Sequence, residues 1–306
     1  MSPDSAAPSI ATRDLRKTFG SLVAVDNVTL NVERGEIFGF LGPNGSGKST
    51  TIRMLLGFLR PSGGSAEILG LDCRTERAAI LGRTGYLPSS VSFEDTVTGV
   101  QALAELARLG GSAAPRRAEI SERLALSQAT LQRRVRDYSR GTRQKLGVVQ
   151  ALQHDPDVVI LDEPTEGLDP LAQHAVYQLL EDLRSEGKTI FFSSHVLSEV
   201  ERVCSRVGII RAGKLVATQS VASLLEHRRR HVALRFEGTP PDLGMVPGVS
   251  ALEPAPGLLR CSLRGEVSPF LRAIATTAVT DLLIEPAHLE EAFMEMYEPG
   301  DAATPA

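Results

Sequence analysis

Gly42-Pro43-Asn44-Gly45-Ser46-Gly47-Lys48-Ser49-Thr50 follows the pattern G-x-x-x-x-G-K-[ST] of a loop that cradles nucleotide phosphates. Ile37, Phe38, Phe40 and Leu41 precede it as a short apolar run of strand length. Ile52, Met54, Leu55, Leu56 and Leu59 follow it at helical spacing. In that strand–loop–helix order, glycines let the backbone wrap close to an anion, and N–H groups at the helix start point at it. Lys48 is then the candidate for the β- and γ-phosphates, and the Ser49 hydroxyl the candidate for Mg²⁺. A Gly-rich turn matching by chance would have no need of a strand before it and a helix after it. These residues predict binding of ATP or GTP.

The chain has 306 residues, room for one large domain and a smaller one. Apolar residues make up 42% and charged residues 23%, the balance of an ordinary globular protein. A net charge of −4 gives no general drive toward nucleic acid, and none is expected as a partner. Cys73, Cys204 and Cys261 lie far apart and match no metal spacing, so reduced cysteines are expected. No apolar run reaches bilayer-spanning length. Any membrane role is therefore expected to run through a partner. Residues 1–9 are rich in Ser, Pro and Ala without a signal pattern, and are expected to form a flexible tail.

Ile10 to Val32 alternates polar and apolar residues with short breaks, which predicts antiparallel strands. The stretch from Pro88 to Gln153 is expected to be mainly helical, with helices over Val100–Leu109, Ala118–Leu126 and after Gly141. Val158-Val159-Ile160-Leu161, Thr189 to Ser193 and Val207 to Ile210 are continuous apolar runs, the pattern of buried parallel strands. Asp169 and Pro170 suit an N-cap and first-turn proline. Leu171, Ala175, Leu179 and Leu183 would share one face of that helix, and Gly187 would end it. Composition shifts near Glu226, where the basic run from His227 to His231 and then five prolines begin. Beyond it a small α+β unit is expected, with strands Val232–Phe236, Leu258–Leu263 and Asp281–Ile284 and helices Pro269–Thr277 and Ala287–Tyr297.

Asp162 and Glu163 directly follow the second buried strand, at the carboxyl edge where open α/β sheets bind ligands. Phosphoryl transfer needs one acid to hold Mg²⁺ and another group to orient water. Asp162 suits the first role and Glu163 the second. An Asp-Glu pair after a strand is more often solvated, but the phosphate loop in the same chain favours the functional reading. His195 follows the next strand and should emerge on the same edge, as a candidate γ-phosphate contact.

At this point the chain resembles the nucleotide-binding subunit of an ABC transporter. Tyr138-Ser139-Arg140-Gly141-Thr142-Arg143-Gln144 is similar to the family signature L-S-G-G-Q and precedes the acids by the family's usual interval. The resemblance spans roughly Ile10 to Ser220. It implies a P-loop NTPase core of ABC type over 10–225, with an antiparallel β subdomain and a helical subdomain at about 88–153, followed by a small C-terminal α+β domain over 226–306. It implies ATP with Mg²⁺, and two copies of the chain sandwiching two ATP molecules so that Ser139 and Gly141 face the γ-phosphate held by the opposite copy. Phe19 falls where the family stacks an aromatic on adenine, Glu166-Gly167-Leu168-Asp169 resembles the loop at the dimer interface, and His195 matches the switch histidine. Lys48, Glu163 and His195 become the implied catalytic set, Gly42 to Thr50 the nucleotide cradle, and Ser49 with Asp162 the metal ligands.

The sequence also departs from the pattern. Ser89 stands after Gly85-Tyr86-Leu87-Pro88 where most members have glutamine and some exporters glutamate, so the role of that position is not transferred. Arg140 replaces a glycine of the signature and Thr142 its glutamine, and Arg140 is expected to face solvent. The signature, the Gly85–Pro88 run and the ending Glu285-Pro286 to Leu289-Glu290-Glu291-Ala292-Phe293 resemble the drug- and antibiotic-resistance exporters of daunorubicin type. These are ATPase chains at the cytoplasmic face of the membrane, working with separate permease subunits. The rival is a soluble ABC ATPase acting on ribosomes or DNA. Such translation factors usually carry two ATPase units, and the DNA-repair relatives carry long coiled-coil or zinc insertions.

Overall fold

The computed structural model describes residues 7–111, 113–226 and 230–285. The chain divides into two compact units, one ending at Gln219 and the other starting at Ser220, ahead of the composition change at Glu226. The expected helix over Ala287–Tyr297, the ending from Pro286 to Phe293 and the centre of the basic run, residues 227–229, lie outside the described residues.

The first unit is built on two sheets. Leu22–Val32, Ile10–Phe19, Gly63–Ile68 and Leu71–Asp72 lie in that order as an antiparallel sheet. Lys214–Ser220, Arg206–Arg211, Ile37–Leu41, Thr189–Ser194, Val158–Asp162 and Thr84–Leu87 form a second sheet, parallel from Arg206–Arg211 onward. Every residue of Ile37–Leu41, Val158–Asp162 and Thr189–Ser194 is buried, as both faces of a parallel sheet require. The first sheet instead shows alternate burial along Leu22–Val32, one face being dry. Between them runs the helix Lys48–Leu55, whose Ile52, Met54 and Leu55 join Val25, Val28 and Ile68 to Phe38, Val158 and Phe191 in one core.

Helices Gly99–Leu109, Arg117–Arg123, Gln128–Leu131 and Arg140–Leu152 fill the stretch expected to be helical. The first opens on a capping box, Thr98 with Gln101. The second stops at Arg123 rather than Leu126, two residues before Ala125 enters a left-handed turn at φ 54°. The last begins at Arg140, two residues before the expected start, because Ser139 caps it. Asp169 caps helix Pro170–Ser185 by accepting from Ala172 N at 2.9 Å, and Gly187 follows its end at φ 87°.

Two expectations need correcting. Leu171 is 83% exposed; the buried stripe of its helix is Ala172, Val176, Leu179, Leu180 and Leu183. Ser9 is no part of a loose tail: its Oγ shares a 2.8 Å hydrogen bond with Thr189 Oγ1, and its amide donates to Val32 O. It extends the pairing of the first strand and is buried. The second unit forms an antiparallel sheet in the order Val249–Ala255, Leu258–Leu263, Arg230–Glu237, Ala278–Glu285. Phe270 and Ile274 of helix Ser268–Ile274 pack in its core with Leu234, Leu259 and Leu263. The strand Val249–Ala255 was not expected from the sequence.

The Phe191 ring lies 5.9 Å from Phe38 and 5.2 Å from Phe40, centroid to centroid, at the middle of the parallel sheet. Phe191→Ala is expected to cost about 3–5 kcal/mol, and Leu171→Ala less than about 0.5 kcal/mol. Urea unfolding of the first unit measures both, and equal losses would contradict this division of inside from outside.

Candidate functional site

The loop Gly42–Ser46 leaves the end of strand Ile37–Leu41, and the chain enters helix Lys48–Leu55 through Gly47. Two of its glycines are forced by crowding. A Cβ on Gly42 would stand 2.4 Å from Ile210 O and 2.6 Å from Ser46 Oγ. One on Gly47, at φ 111°, would stand 2.7 Å from Ala24 O. Lys48 is buried; its Nζ donates to Gly42 O at 2.5 Å and Pro43 O at 3.3 Å, curling the side chain back over the loop. Ser46 Oγ is buried with no hydrogen-bond partner among the described residues, a cost normally met by a ligand or water.

Three strand ends bring the polar groups to this loop. Asp162, the last residue of its strand and 2% exposed, accepts from Ser49 Oγ at 2.7 Å and from Ser193 Oγ at 2.8 Å. Glu163 follows in the left-handed region at φ 54°, its amide donating to Ser193 O at 3.0 Å. Such a conformation in a non-glycine residue costs on the order of 1 kcal/mol or more and persists only where its surroundings hold it. The Glu163 carboxylate is bracketed: Oε1 lies 3.5 Å from Lys48 Nζ, and Oε2 lies 2.8 Å from His195 Nδ1. His195 stands just past strand Thr189–Ser194 with its side chain 44% exposed. The buried carboxylate thus lies between a lysine ammonium and an imidazole, within reach of both.

These groups share one cleft of about 1060 Å³. Pro43, Asn44, Gly45, Gly47, Lys48, Ser49 and Thr50 line its floor, with Asp162, Glu163 and His195 along one side. Gly42 and Ser46 are not on its wall. Phe19, half exposed beside the turn at Gly20, sits on the wall with Lys17 Nζ 5.0 Å from its ring centroid. Its free face suits stacking on a planar base. Ser89 also lines the cleft.

Ser139 and Gly141 do not line the cleft, although Arg140 and Gln144 do. Ser139 Oγ caps its helix, accepting from Thr142 N at 3.1 Å and sharing a 2.9 Å bond with Thr142 Oγ1. A Cβ on Gly141 would stand 2.9 Å from Gly167 O, so the helix start lies against the Glu166–Asp169 turn. Arg140 does face solvent, as expected, but it is also ion-paired with Glu166.

Three supporting residues escaped the sequence reading. Ser193 holds Asp162. Gln144, buried, donates to Glu163 O at 3.3 Å and Pro164 O at 2.9 Å. Glu199 accepts from Ser194 Oγ at 2.7 Å and also binds the Thr165 hydroxyl. Burial, then the charge of Glu199, pushes the Tyr177 phenol up from its ordinary pKa, so it stays protonated. Gln144 had a signal: it is a polar residue on the buried stripe it shares with Val148 and Leu152.

A phosphate loop, two acids at a parallel-sheet edge and a capped signature helix define an ATP-binding cassette. The chain belongs to the ABC transporter family, as an ATP-binding subunit that binds and hydrolyses ATP. The sequence pattern described as ABC transporter matches residues 25–166. The chain is 40% identical over 229 residues to the bacitracin transport ATP-binding protein BcrA of Bacillus licheniformis, covering 74% of each. It is 34% identical over 303 residues to the Nod factor export ATP-binding protein I of Cupriavidus metallidurans, covering 93% of this chain and 95% of that one. A solved structure of an ATP-binding subunit of an ABC transporter superposes with a TM-score of 0.66 at 27% identity, covering 70% of this chain and 91% of that one.

Gly47→Ala is expected to weaken ATP binding by about 10- to 100-fold, because the loop must distort to admit a Cβ. Isothermal titration with ATP measures this, and unchanged affinity would disprove the crowding argument.

Proposed function

We propose that this chain powers export of a small molecule, a drug, antibiotic or lipid-like compound, through a separate membrane permease. Two copies would close on two ATP molecules, and hydrolysis would reopen them. The observation that carries the reading is the Glu163 carboxylate held between Lys48 and His195, beside the Ser49–Asp162 pair.

Phe19 stacks on the base, and the amides and Lys48 hold the β- and γ-phosphates. Glu163 accepts a proton from the attacking water as its oxygen bonds to the γ-phosphorus and the bond to the β-phosphate oxygen breaks. His195 orients that carboxylate and contacts the γ-phosphate. Ser49 and Asp162 suit Mg²⁺, since they are hard oxygen donors and Asp162, though buried, pairs only with hydroxyls among the described residues. When bound, Mg²⁺ offsets charge on the β- and γ-phosphates. Ser139 and Gly141, at a helix start, offer amides to the γ-phosphate of the second copy.

Among the described residues no helix is long and apolar enough to cross a membrane, so a permease would supply the path and hold the chain at the cytoplasmic face. A cavity of about 350 Å³ lined by Phe58, Tyr86, Phe93 and Leu106 offers an apolar seat for such a partner. The Nod factor protein supports export by its name, and the bacitracin protein, named for transport of an antibiotic, supports the drug- and antibiotic-type reading. The first unit serves as the motor, and the C-terminal unit is an accessory.

Glu163→Gln is expected to bind ATP but turn over about 100- to 10,000-fold more slowly, accumulating as closed dimers. Near-normal turnover would remove Glu163 from its role. Lys48→Ala should weaken ATP affinity itself. The Glu163→Gln chain, purified from its own host in mild detergent with ATP, should carry a polytopic membrane protein at near-equal stoichiometry by mass spectrometry. Ribosomal proteins or DNA in its stead would overturn the transport reading.

A further inference from the structure

Three contacts join the start of helix Arg140–Leu152 to the loop that bears the acid. Gln144 Nε2 donates to the carbonyls of Glu163 and Pro164 at 3.3 and 2.9 Å. Gly141 lies against Gly167, with no room for a Cβ between them. Arg140 pairs with Glu166, and its stem crosses Gly167, with Cγ, Cδ and Nε 3.1–3.2 Å from where a Gly167 Cβ would stand. The loop is itself a closed turn: Glu166 N donates to Glu163 O at 3.3 Å and Leu168 N to Thr165 O at 3.1 Å. A shift of Glu166 therefore acts on the same carbonyl that Gln144 holds, that of the residue whose carboxylate meets Lys48 and His195. Glu163 sits at a left-handed φ of 54°, which persists only while its surroundings enforce it.

We propose that Arg140 and Glu166 form a clamp within one chain, and that through it Arg140 is a positioning residue for Glu163 in ATP hydrolysis. The inference rests on the assignment of Glu163 made above. Where the signature pattern has a glycine, this chain carries an arginine whose partner lies on the acid's own loop. A lone surface ion pair contributes little, and this one is 71% and 44% exposed at its two side chains. Here the pair acts on a loop already gripped by Gln144 and Gly141, so it restricts the remaining freedom of the turn. Arg140 and Glu166 line the cleft but share no hydrogen bond or ion pair with the phosphate loop among the described residues. The loss of the clamp is therefore expected in the chemical step more than in nucleotide binding.

The test uses the full chain and its steady-state ATPase activity, with nucleotide affinity measured separately. Arg140→Gln and Glu166→Gln are each expected to lower kcat about three- to fivefold at constant KM. Both side chains are exposed, so the fold should melt as before. The charge swap, Arg140→Glu with Glu166→Arg, should recover kcat to within about twofold of the parent. Gln144→Leu should lower kcat about tenfold or more, because Glu163 O and Pro164 O both lose the side-chain donor that ties them to the helix. Unchanged kcat in both single variants would overturn the clamp. So would a swap that fails to recover, or a KM that rises in step with the loss, which would assign Arg140 to the nucleotide. A Glu163→Gln control separates the two failures. If it turns over normally, the acid assignment has failed; if it is inactive while Arg140→Gln is normal, only the clamp has failed.

Discussion

The register of the parallel sheet is the constraint on which the site depends. Phe40 pairs with Ser193, Leu41 with Ser194, and Asp162 with Ser193. Three strands thus end within a residue of one another, and the next residue of each is Gly42, His195 or Glu163. A slip of one residue would turn each side chain to the opposite face and part Ser193 from Asp162. The register is secured by burial: all three strands are dry on both faces, with Phe38, Phe40 and Phe191 filling the layer between sheet and helix. Packing far from the loop therefore fixes the spacing of the chemistry.

Much of this was legible because it is local. The phosphate loop is nine consecutive residues and reads as one pattern, although Ile210 O and Ala24 O, which crowd Gly42 and Gly47, come from elsewhere in the chain. The buried strands announce themselves as unbroken apolar runs, and Asp169-Pro170 caps its helix within one turn. What the sequence hid was long-range or exposed. Ser193 and Gln144 find their partners across 31 and 19 or 20 positions, a pairing that only the sheet and the helix docking create. Strand Val249–Ala255 is mostly exposed and has no alternation to read, being held by hydrogen bonds to Leu258–Leu263. Leu171 misled because helical spacing cannot say which of two offset stripes faces inward.

The signature segment shows how a motif's letters and its structural work can differ. Ser139 was legible as the opening residue of a helix, and it caps that helix through the amide of Thr142. Its hydroxyl is thus engaged within the first turn of its own helix. The close contact of Gly141 with Gly167 gives that glycine an internal reason as well. Substitution there would separate the helix from the turn whatever it did to a ligand.

The left-handed backbone at Glu163 needs an explanation in what surrounds it, since strain of this kind survives only where several contacts over-determine the geometry. Its amide is tied to Ser193 O and its carbonyl to Gln144, and its carboxylate meets Lys48 and His195. Glu199 adds a further tie, for it binds the hydroxyls of Thr165 and Ser194, two residues after the acid and one before the histidine. The two loops are therefore joined twice, through Glu163–His195 and through Glu199. Arg202, on the helix that carries Glu199, stacks over the Tyr177 ring and anchors that helix to Pro170–Ser185. The acid and the histidine thus form one mechanical unit, and a force that moves either loop must move both.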